Sequence, residues 1–81
     1  MKVFVYTVEF LNAENKSEYK TVKGVYTDME LAKKVLFSDM RKQSDMWEGS
    51  YMVKLGKAKE GLISKEGYSK VYQVIEKEVN Q

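Results

Sequence analysis

The chain contains no histidine and no cysteine. Without histidine it lacks the usual general base at neutral pH and the commonest metal ligand. Without cysteine it has no thiolate nucleophile, no zinc–sulfur centre and no disulfide framework. Ser17, Ser38, Ser44, Ser50, Ser64 and Ser69 have no imidazole to activate them. Neither phosphate-cradling glycine motif occurs. Gly56, Gly61 and Gly67 are too widely spaced, and turns account for them. A strong excess of one charge is also missing: 14 Lys and Arg stand against 12 Asp and Glu, a net +2. Domains that live on phosphate backbones are far more basic. No apolar run reaches membrane-spanning length, and the first ten residues alternate, unlike the core of a signal peptide. Small secreted domains usually depend on disulfides, so the expectation is a cytoplasmic chain. It is expected to need no cofactor or metal and to act by binding rather than catalysis.

What is present suits one folded domain, 1–81. Eighty-one residues support one modest core, with stability of roughly 3–5 kcal/mol before outside help. Apolar residues make up 43% and aromatics 12%, too rich for a disordered chain. Residues 2–11 read as a strand, with Phe4, Tyr6, Val8 and Phe10 on one face at period two. Val3 and Val5 make the opposite face apolar as well. That points to a central position or to cover from a second subunit. Residues 12–16 read as a hairpin loop and 18–26 as a second strand, in which Gly24 marks a bulge or a close backbone approach.

Thr27-Asp28-Met29-Glu30 fits a capping box, with Thr27 as N-cap and Glu30 three residues on. The helix that follows spans about 28–43 and carries Leu31, Ala32, Val35, Leu36 and Met40 on one side. Asp39 falls inside that stripe, where a core-edge position explains it better than a catalytic acid does. Glu76 and Glu78 read as a solvated face rather than an acid pair. Trp47 reads as a cap on the core. Residues 51–55 form a short strand, and 56–67 reads as a flexible loop or a protruding hairpin tipped near Leu62 and Ile63. Residues 68–79 fit both a strand and a helical stripe; the β-branched and aromatic content of Val-Tyr-Gln-Val-Ile favours the strand. The fold class is therefore α+β, in the order β-β-α-β-β: a mostly antiparallel four-stranded sheet with one helix on one face.

The candidate surfaces follow. Phe37 lies opposite the helical stripe, near Lys33 and Arg41, where an aromatic can anchor a partner. Lys54, Lys57, Lys59, Lys65 and Lys70 make the 54–70 segment the most basic stretch, suited to phosphate contacts, with Leu62 and Ile63 as an apolar wedge at its tip. The balanced net charge makes nucleic-acid binding weak, and a solvated loop is the simpler account. Val3 and Val5 mark a face for a homodimer.

Three segments carry a resemblance: Val3-Phe4-Val5-Tyr6-Thr7, then Gly24 to Lys34, then Tyr72 to Val79. Together they resemble small, uncharacterised β-β-α-β-β proteins of bacteria, phages and prophages, in which a strand runs into a capped helix. The 56–67 segment is longer than that pattern. The resemblance brings no catalytic residue. It implies an accessory protein that inhibits or redirects a host protein, a defence nuclease for example.

Overall fold

One antiparallel hairpin precedes the helix and a three-stranded antiparallel meander follows it, and hydrophobic periodicity sets which side of each strand the helix covers. The computed structural model describes residues 1–55 and 59–79. The elements are β1 (Lys2–Leu11), β2 (Ser17–Tyr26), α1 (Met29–Met46), β3 (Tyr51–Leu55), β4 (Glu60–Lys65) and β5 (Tyr68–Glu78). All pairings are antiparallel, in the order β2-β1-β5-β4-β3, so β1 is paired on both sides.

The sheet therefore has five strands, not the four expected. The extra strand is β4, inside the segment read as a flexible loop or a protruding hairpin. Its Gly61 and Ile63 face the helix, while Glu60, Leu62 and Ser64 face away. That short alternation was masked by lysines and glycines spaced like turn residues. The hairpin tip is Glu66-Gly67, not Leu62-Ile63. Both tip residues have positive φ, 52° and 90°, which gives a two-residue turn matched to strand twist. Ile63 is fully buried in the core and Leu62 is half-buried in mid-strand, so neither forms an exposed wedge. Residues 68–78 are a strand throughout.

The core lies between α1 and one sheet face. Tyr6, Val8, Ile63, Tyr72 and Val74 of the sheet pack against Ala32, Leu36 and Met40 of the helix. Gly61 sits under the Met40 thioether, where an added Cβ would overlap the Met40 side-chain end. The buried helical stripe is Ala32, Leu36, Met40 and Gln43, whereas Leu31 is exposed. Trp47 closes the helix: its backbone N–H donates to the Gln43 carbonyl at 2.8 Å, and its ring meets Phe10 edge-on at 6.3 Å. No described helix is long and apolar enough to cross a membrane.

The helix starts one residue later than the capping box implied. Asp28, not Thr27, is the N-cap, with extended backbone, and its Oδ1 accepts from the Glu30 N–H at 2.9 Å. Asp28 satisfies an orphan donor and places a negative charge at the positive end of the helix. Asp28→Ala should therefore lower unfolding free energy by about 1 kcal/mol, while Thr27→Ala changes it little. Urea denaturation of both variants checks this, and the reverse order would return the cap to Thr27.

Candidate functional site

One helix covers one face of a small sheet, so the molecule has two distinct outer surfaces. The first is the exposed side of α1. Positions 34, 37, 38, 41 and 42 recur at helical spacing on the side turned from the sheet. Lys34, Phe37, Ser38, Arg41 and Lys42 line an open groove of about 500 Å³. Phe37 is half-buried there and the cationic side chains surround it. Of the helix residues expected to act together, Phe37 and Arg41 do share a surface. Lys33 does not join them: its Nζ pairs with Glu30 Oε1 at 3.4 Å. Lys34 and Lys42 complete the cluster instead. Neither was among the helix residues singled out from the sequence, which were Lys33, Phe37 and Arg41.

A second, smaller cavity of about 190 Å³ lies on the adjoining flank of the helix. It is lined by Val8, Lys23, Asp39, Lys42, Gln43, Met46, Lys70 and Tyr72. A bulge in β2 helps to build it. Tyr6 pairs with Gly24 and Thr7 with Val22, leaving Lys23 as the extra residue. Lys23 and Gly24 thus both lie toward the helix side. The Tyr26 ring lies across Gly24, where a Cβ would come within 2.7 Å of the Tyr26 hydroxyl. Lys70 Nζ donates to Gln43 Oε1 at 2.8 Å and stands 5.8 Å from the Trp47 ring centre. Burial, helped by the charge of Lys23, pulls the Lys70 ammonium below its ordinary value.

Asp39 is at the core edge, as expected, with its Oδ2 accepting from the Tyr6 hydroxyl at 2.8 Å. Burial, then the hydrogen bond to Asp39 and its charge, pushes the Tyr6 phenol far above its usual 10. Burial and the charge of Asp39 push Tyr72 in the same direction. A raised folded-state value means that the neutral phenol is favoured by folding. That stability is complete below pH 10 and is lost as pH rises beyond it. Denaturant titrations should show stability falling above pH ~10 by about 1.4 kcal/mol per pH unit for each of the two tyrosines. Tyr6→Phe should make that fall shallower, and an unchanged slope would remove Tyr6 from the account.

Of the lysines of 54–70, Lys59, Lys65 and Lys70 do not form one stripe. Lys59 precedes β4 and Lys65 ends it, so they lie at opposite ends of that strand. Lys70 turns toward the helix flank. Lys57 lies outside the described residues.

The second outer surface is the sheet face away from α1. Val3, Val5 and Leu11 of β1 lie there, with Val22 and Val25 of β2, Leu62 of β4, and Val71 and Ile75 of β5. Val5 sits in a row between Val25 and Ile75. Val22 and Val25 are 61% and 59% exposed, so no element of the described chain covers them. Val3 and Val5 are half-buried on this face, where the sequence placed them.

A two-layer α+β domain is thus defined, with a cationic helix side and an apolar sheet side that no described element covers. Comparison with protein-family models, curated proteins and solved structures finds no match.

Proposed function

We propose that the chain is a non-catalytic binding protein that offers its cationic helix face to an acidic protein partner. The observation that carries this reading is the groove in which Lys34, Arg41 and Lys42 surround Phe37. Aromatic and arginine side chains supply most hot-spot energy at interfaces, and surrounding charge steers the encounter. Inhibiting or redirecting a host protein, such as a defence nuclease, is the action this reading gives it. Because the face is basic, the domain would meet an acidic patch on such a target rather than imitate nucleic acid in a basic cleft. The scattering of Lys59, Lys65 and Lys70 counts against a nucleic-acid track. Too few phosphates would be neutralised for binding that survives physiological salt.

The same reading pairs the chain with a second copy through the open sheet face. Strands of 10, 10 and 11 residues, flanked by strands of 6 and 5, form this face. At ~4.8 Å between strands and ~3.3 Å per residue its area is roughly 600–700 Å². That approaches the ~800 Å² each partner gives to a standard interface. Glu9 and Lys20 stand opposite each other on this face, so a two-fold copy can meet them with inverted charges. Edge-to-edge pairing is disfavoured because β2 carries Lys20, Lys23 and a bulge.

Capture from bacterial host lysate tests the partner reading. The expected result is one stoichiometric protein, retained after nuclease treatment and lost with Phe37→Ala or Arg41→Glu. Capture that vanishes with nuclease, or that both variants retain in full, would overturn it.

A further inference from the structure

We propose that the cavity between β2, β5 and the end of α1 is an oxyanion site, built to take a phosphate dianion, free or as a small monoester. Three ammonium side chains, Lys23, Lys42 and Lys70, line a space of about 190 Å³. Among the described residues the cavity has a single carboxylate, Asp39, whose Oδ2 accepts from the Tyr6 hydroxyl; its charge offsets one of the three lysines and leaves a surplus of two positive charges. Among the described residues no salt bridge joins any of the three lysines to an acid. Like charges gathered around one space repel, and an anion between them converts that repulsion into attraction. The three come from three separate elements, β2, α1 and β5, so they surround the space rather than follow one strand.

Two features suit the site to a compact ligand. Lys70 is held at the cavity wall by Gln43 and by the Trp47 ring rather than ranging through solvent. Lys23 is delivered by the bulge, a feature that often re-aims a side chain beside a functional site. Val8 and Met46 add apolar wall, giving room for the first carbon atoms of a monoester beside its phosphate. Lys42 also lines the neighbouring groove, so an occupied cavity would lower the positive charge offered to an acidic partner. The site itself does not depend on that partner's existence.

Titration calorimetry with inorganic phosphate and, separately, ribose 5-phosphate, at pH 8 and low ionic strength, tests the proposal on the isolated protein. Saturable one-to-one binding is expected, with amide NMR shifts centred on residues 23, 42, 43 and 70. Lys23→Gln and Lys42→Gln, both exposed and outside the core, should each weaken binding about 5- to 10-fold, and Lys65→Gln should leave it unchanged. Tighter binding of the sugar phosphate would assign the site to monoesters; equal binding would assign it to free phosphate. Non-saturable binding, or equal weakening by all three variants, would show diffuse surface attraction and overturn the site. A folded Lys23→Gln protein that binds as the parent does would overturn it as well.

Discussion

Leu36→Ala should remove most of the protein's stability and leave a substantial unfolded fraction at 25 °C. Leu36 is fully buried, in the middle of the only described helix and against the covered side of the sheet. Its loss removes transfer free energy and leaves a cavity between two rigid layers, a change that costs about 2–5 kcal/mol. A domain of this size has only about 3–5 kcal/mol in total. The Met40 thioether is seated against Gly61, so moving it into the gap would give up that contact. Far-ultraviolet circular dichroism with urea titration would measure the effect. A midpoint close to the parent's would mean that the helix is not the main source of burial.

The second large effect concerns association. The chain should sediment with the mass of two chains at micromolar concentration, and Val25→Lys should return it to one. Val25 is 59% exposed in the single chain, so lysine there costs the fold little. In a face-to-face pair the same position would be covered, since sheets pack about 10 Å apart with their side chains interleaved. A lysine in that layer would be buried without a partner, a penalty of several kcal/mol for each copy. Sedimentation equilibrium of both proteins decides the matter. A parent of single-chain mass across the accessible range would end the dimer and leave the valine face uncovered.

Much of this fold was legible where period and composition agreed. The alternation of Phe4, Tyr6, Val8 and Phe10 gave β1 and its covered side, and the valines at 3 and 5 gave the second apolar face. The helix was readable from its capping signal, although Asp28 rather than Thr27 makes the bond, a shift of one residue that the spacing alone does not resolve. The β4 strand was not legible, because Gly61 and Lys65 weaken an alternation only six residues long. Gly61 is there to admit Met40, a tertiary demand with no local signature. In the helix, Phe37 and Arg41 could be paired by helical spacing. The cavity on the helix flank could not be foreseen: Lys23, Lys42 and Lys70 are distant in sequence and meet only through the β2 bulge and the β1–β5 pairing.

Hydrogen-exchange footprinting of the captured complex tests the binding account most directly. The account predicts new protection on the helix at 34–42, with Phe37 and Arg41 at its centre, beyond that seen in the protein alone. New protection confined to β1, β2 and β5, with the helix exchanging as in the free protein, would contradict it.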